Sequence, residues 1–105
     1  MSAIFVYITV SSEDEAKNIA QTVVKDRLAA CANIISGMKS IYHWEGKVEE
    51  GEEAVLILKT RAELFPALSA KVKELHSYDT PCIAAFPASD IDAGFLKWVL
   101  EETKP

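Results

Sequence analysis

Residues 29–60, AACANIISGMKSIYHWEGKVEEGEEAVLILKT, decide how this chain folds. Two apolar runs, AACANII at 29–35 and EAVLILKT at 53–60, bracket a stretch of the same extended character. SG at 36–37 reads as a bulge or bend, MKSIYHWEGKVEE resumes the strand with a kink at Gly46, and Gly51 sits in an acidic turn. Together they form a hairpin whose arms far exceed the ~5–6 residues of an ordinary strand. Within it, SIYHWEGK at 40–47 sends Tyr42 and Trp44 to one face and Ile41 and His43 to the other. A small domain covers one such face. Something else must cover the other.

Upstream, AIFVYITV at 3–10 is a continuous β-branched and aromatic run, read as a buried central strand. Ser12 and Glu15 stand at capping-box spacing, and Ala16, Ile19, Ala20, Val23, Val24 and Leu28 then recur with helical period. Downstream, Thr60 and Glu63 repeat that spacing, and Leu64, Leu68, Val72 and Leu75 mark a second helix. Pro66 confines its start to residues 63–65. HSYDTP at 76–81 is a polar loop. CIAAFPA at 82–88 is a fourth strand, placed at an edge or an end by Pro87. Asp90 or Asp92 caps a last helix carrying Phe95, Leu96, Trp98 and Val99, with Trp98 read as packing.

The order βαββαβ plus a C-terminal helix is the ferredoxin-like α+β pattern, a four-stranded antiparallel sheet with two helices on one face. The other sheet face stays open and apolar. The long hairpin therefore points to contact with another copy of the chain.

At 105 residues the chain is read as one domain, 1–105, of ordinary globular composition, with 50% hydrophobic and 26% charged residues. Its net charge of −5 disfavours nucleic acid. No apolar run is long enough for membrane insertion. The opening MSAIFVYITVSSEDE has no basic leader, so the expected compartment is cytoplasmic, with Cys31 and Cys82 as reduced, buried thiols. Acylphosphatase chemistry is excluded because the loop after the first strand, SSEDE, would repel a phosphate. RNA recognition needs aromatics and basic groups that AVLILK and the acidic balance do not supply. Heavy-metal chaperone domains carry CxxC in that first loop, which here has no cysteine. No nucleophile–base pair emerges, so an enzyme is not expected.

RLAACANI (27–34), SIYHWEGKVEE (40–50), LILKT (56–60), LHSYDTP (75–81) and FLKWV (95–99) resemble, in order and spacing, the CutA family of divalent-cation-tolerance proteins. The resemblance covers nearly the whole chain. It implies a homotrimer of ferredoxin-like subunits with hairpins pairing between neighbours, and a role in tolerance of divalent metals such as copper, with no cofactor required. That architecture is similar to PII-type signalling proteins, which bind small effectors in clefts between subunits. The alternatives are thus a trimeric sensor of a small anionic effector and a non-catalytic assembly or anchoring trimer.

The soft ligands are His43, His76, Cys31, Cys82, Met1 and Met38, with no zinc-finger or HxxxH spacing. His76 matches the histidine of the family's HPYxxP motif, with Ser77 in place of the proline. It is read either as a cation at a helix C-terminus or as a metal or effector contact. A second histidine and a strand-end cysteine used by some members correspond here to Leu75 and Ile8. Cys31, in the AAC motif, is either a packed thiol or a copper(I) ligand. Lys59 is a solvated strand end or a cleft cation. With Trp44, Tyr78 and Asp79 it resembles the family's intersubunit cleft. EEGEE at 49–53 is an acidic hairpin tip or a hard-cation site.

Overall fold

The computed structural model describes residues 2–104. Strand β1 (Ala3–Val10) is followed by helix α1 (Glu13–Lys25), strands β2 (Cys31–Trp44) and β3 (Lys47–Arg61), a 3-10 turn, helix α2 (Phe65–Leu75), strand β4 (Ile83–Pro87) and helix α3 (Ala93–Glu102). The strands form one antiparallel sheet in the order β2-β3-β1-β4. This is the expected ferredoxin-like α+β arrangement, with β1 central and the proline-bearing β4 at an edge.

Alternation along the strands explains the core. Ile4, Val6, Ile8 and Val10 alternate in β1 with Phe5, Tyr7 and Thr9. The first set packs with Leu56 and Leu58 of β3 under Ile19 and Val23 of α1 and Leu68 and Val72 of α2. Transfer of these side chains from water is the main favourable term of folding. The second set faces the opposite side. There α3 covers only the end near Ala3, through Val99, Phe95 and Leu96.

The helix ends follow from local chemistry, with two departures from expectation. Ser12 Oγ accepts from Glu15 N at 3.1 Å and caps α1, but the Glu15 carboxylate turns back to Ser11 instead of completing the box with Ser12. Thr60 caps nothing: it is buried and donates to the Leu28 carbonyl at 2.8 Å. Asp92 caps α3, accepting from Phe95 N at 3.0 Å.

The hairpin turn lies at Glu45–Gly46, not at Gly51. Both turn residues are left-handed, φ 49° and 77°, as a two-residue turn matched to strand twist requires. Gly51 sits inside β3, where a Cβ would stand 3.4 Å from the Tyr42 hydroxyl. EEGEE is therefore no tip. Its carboxylates point alternately to the two faces of β3, and Glu52 pairs across to Lys39 at 2.8 Å. The bulge falls between Ile35 and Met38, as SG predicts.

Because β1 ends opposite Ala54, the pairs from Met38–Glu53 to Trp44–Lys47 have no third strand beside them. That arm is roughly 23 Å long at strand rise, and it makes the chain 45 Å long but only 26 by 22 Å across. Every residue from 41 to 50 is exposed. Ile41 at 69%, Trp44 at 61% and Val48 at 65% are the extreme apolar cases. Two further expectations fail: Cys82 is exposed just before β4, and Trp98 is 40% exposed, touching Phe95 with ring centroids 5.7 Å apart.

Candidate functional site

Polar groups gather where β1 stops and the hairpin begins to project. The His76 side chain, at the C-cap of α2, is 0% exposed. Its Nδ1 accepts from Tyr78 N–H at 3.0 Å, which leaves the ring proton on Nε2, donated to the Thr9 carbonyl at 2.8 Å. The Tyr78 ring packs on the imidazole at 4.7 Å, and its hydroxyl donates to Glu53 Oε2 at 2.7 Å. Burial, then the bond to Glu53 and that carboxylate's charge, hold the phenol well above its usual pKa.

Glu15 closes the cluster from the α1 side. Oε1 accepts from Ser11 N and Oγ at 2.9 and 2.8 Å, and Oε2 accepts from Ser77 N at 2.7 Å. Burial raises its pKa, but the bonds from Ser77 and Ser11 together outweigh burial and bring it down to about 2. A charged carboxylate thus joins the loop after β1 to the loop after α2. Linear spacing shows Glu15 only as a capping residue; nothing in it signals a partner 62 positions away.

Lys59 lies elsewhere. Cys31, Lys59, Phe5 and Phe86 stand in one cross-strand row on the open sheet face, from β2 to β4. The Lys59 Nζ is 5.2 Å from the centre of the Phe5 ring and 5.5 Å from that of Phe95 on α3. Burial pushes the Cys31 thiol pKa up, partly offset by the Lys59 charge.

The residues expected to share a cleft therefore occupy three stations along β3. Trp44 pairs with Lys47, Tyr78 reaches Glu53, and Lys59 is six residues farther on, each step spanning about 20 Å. Asp79 is exposed in the loop beyond Tyr78. One chain does not bring them together. His76 and Cys31 are also apart: His76 meets β1 at Thr9 and the Cys31 row crosses β1 at Phe5, about 13 Å away along the strand. Among the described residues no group of three or more His, Cys, Asp and Glu is placed to hold a metal ion, and the EEGEE carboxylates form no such group. Met1 lies outside the described residues.

Sequence comparison accounts for this plan. Residues 4–102 match the model of the CutA1 divalent ion tolerance protein family. The chain belongs to the CutA1 family. A CutA relative from Thermus thermophilus, named divalent-cation tolerance protein, is 46% identical over 93% of this chain and 95% of its own. The Arabidopsis thaliana CutA, described as chloroplastic, is 39% identical over 97% of this chain and 56% of its own. A structure described as the periplasmic divalent cation tolerance protein CutA from Archaeoglobus fulgidus superposes with TM-score 0.94 at 43% identity, covering 97% of this chain and 99% of that one. CutA relatives thus carry chloroplastic and periplasmic descriptions, and a cytoplasmic location does not follow from membership. Among the described residues no helix of this CutA1 family member is long and apolar enough to cross a membrane.

Proposed function

We propose that this protein is a non-enzymatic homotrimer that serves in tolerance of divalent metal ions, copper among them. The observation that carries the assembly is the projecting arm, whose exposed Ile41, Trp44 and Val48 need a protein surface on both faces. Names of full-length CutA relatives support the metal-tolerance role. On this reading Trp44 of one copy meets the Tyr78–Asp79 loop of the next, so that the expected cleft forms only between copies. Metal contact is weak or indirect. For His76 to ligate a metal it must give up either the Thr9 carbonyl or the Tyr78 N–H, at a cost of about 1–3 kcal/mol for each buried group left unpaired. Cys31 is the more available soft ligand. The two free thiols fit a reducing, cytoplasmic compartment.

Native mass spectrometry, metal-free and then with copper or zinc in small excess, tests both parts. A trimer that takes up little metal is the expected result. A monomer overturns the assembly, and three tightly held ions per trimer overturn the weak-binding reading.

A further inference from the structure

The imidazole of His76 has no place for a second proton where it stands. Its side chain is 0% exposed within a single chain, and packing against another copy can only bury it further. Nε2–H is donated to the Thr9 carbonyl at 2.8 Å, and the Nδ1 lone pair accepts the Tyr78 N–H at 3.0 Å. A proton added at Nδ1 would set two N–H donors against each other. A group able to accept it, Glu15 Oε2, lies 3.9 Å away, where it now takes Ser77 N–H at 2.7 Å. That carboxylate, with its pKa of about 2, stays ionised through the whole range in which imidazoles titrate. Tyr78 packs on the ring at 4.7 Å, its phenol held neutral well above its usual pKa, with Glu53 of β3 and Tyr42 of β2 behind it. From β1 comes the Thr9 carbonyl, and Lys73, Glu74 and Asp79, along the chain on either side, are exposed.

We propose that His76 is a proton-operated latch: on acidification Nδ1 takes a proton from solvent, turns from the Tyr78 N–H to Glu15 Oε2, and frees residues 77–78, so that the Tyr78 hydroxyl lets go of Glu53 at the root of the hairpin. Each state has its own pairing. The closed loop holds a neutral ring with Tyr78 N–H on Nδ1 and Ser77 N–H on Glu15. The open loop holds an imidazolium–carboxylate pair and passes both backbone N–H groups to water. Only the open loop has a partner for the added proton, so pH sets the balance between them. The closed loop is complete above the imidazole range and is lost as pH falls through it. The latch lies within one chain and needs neither a metal ion nor a second copy.

The test is nuclear magnetic resonance of the intact, metal-free, nitrogen-15-labelled protein between about pH 8 and 5, the range in which imidazoles titrate. The ring nitrogens of His76 report their own protons, with exposed His43 as the reference imidazole. Amide exchange of Tyr78, corrected for the intrinsic rate at each pH, reports the loop. The expected result is a single proton on Nε2 at the upper limit and a second proton at lower pH. In the same step Tyr78 amide protection should fall about tenfold, the size of one lost hydrogen bond. His76→Gln, which keeps a donor and an acceptor but does not titrate, should hold that protection constant. Glu15→Gln, which removes the charge that receives the proton, should move the step to lower pH and serves if His76→Gln does not fold. A ring proton on Nδ1 at the upper limit, or a ring still singly protonated at the lower, overturns the latch. So does a second proton that leaves the Tyr78 amide unmoved, a His76→Gln loop that loosens like the wild type, or a Glu15→Gln step at the wild-type pH. Native mass spectra of the same samples keep the latch and the assembly apart. A monomer whose Tyr78 amide follows the His76 proton ends the trimer and leaves the latch, whereas a trimer whose loop ignores the proton does the reverse.

Discussion

The Tyr78 hydroxyl donates to Glu53 Oε2 at 2.7 Å, fastening the loop after α2 to the root of the projecting hairpin. The same residue's backbone N–H fixes the His76 tautomer, so one tyrosine ties β3, α2 and, through His76, the end of β1. Tyr78→Phe keeps the ring contact and removes only the donor. The expected loss is about 1.5–3 kcal/mol in urea unfolding, the range for a hydrogen bond to a charged acceptor. A variant as stable as the wild type would show that Glu53 is satisfied by water.

Glu15 sets the acid limb of stability. Its folded pKa, about 2, lies below the ordinary 4.5, so the unfolded chain binds the extra proton in this range. The stabilisation is present above pH 4.5 and is lost as pH falls toward 2. Its ceiling is about 3 kcal/mol for a shift of this size. Glu15→Gln should flatten the pH dependence between those limits and lower stability at pH 7. Denaturant midpoints measured from pH 2 to 7 check it; parallel curves for the two proteins would refute the assignment.

Arg27 holds a left-handed backbone, φ 59°, at the end of α1, where Arg27 N bonds the Val24 carbonyl and Leu28 N the Val23 carbonyl. Glycine is the usual occupant of that position in this motif. The arginine side chain reaches across to α3, donating to the Glu102 carbonyl and Oε2, both at 3.2 Å. Arg27→Ala loses those bonds and keeps the strain, whereas Arg27→Gly loses the bonds and relieves it. Glycine should therefore exceed alanine in stability by about 1 kcal/mol. Thermal unfolding of the pair measures the difference.

Trp44 and Val48 lie on opposite faces of the arm, beyond the reach of the core. If the proposed trimer forms, Trp44→Asp and Val48→Asp should each leave the chain monomeric at micromolar concentration while the far-ultraviolet circular dichroism is unchanged. Light scattering after gel filtration reads the mass. Dissociation by only one of the two would mean that a single face of the arm is covered.

The sheet and its helices were legible because a continuous β-branched and aromatic run such as AIFVYITV marks a buried strand, and a 3.6 period such as Ile19–Val23 marks a helix. Turn position was not. Four glutamates around Gly51 resemble a solvated turn, whereas Glu45–Gly46 does the bending and Gly51 lies within β3 beside the Tyr42 side chain. Cys82 read as core from its apolar neighbours but falls one residue short of the strand and is exposed. The polar cluster was half visible: His76 and Tyr78 stand two apart in sequence, but Glu15 and Glu53 reach them only through the fold. Register, which no local pattern encodes, also placed Lys59 among Phe5, Phe86 and Phe95 and away from Tyr78.

An arm exposed from residue 41 to 50 also bears on the fate of a newly made chain. On the proposed trimeric reading, a subunit not yet assembled displays tryptophan, isoleucine and valine on a ribbon whose edges can pair with another strand. An exposed apolar ribbon of this kind is a liability for aggregation and for cellular triage, so unassembled chains are expected to be shorter-lived than assembled ones. Pulse-chase decay of Trp44→Asp against the wild type would measure that: equal lifetimes would mean that the bare arm is tolerated in the cell.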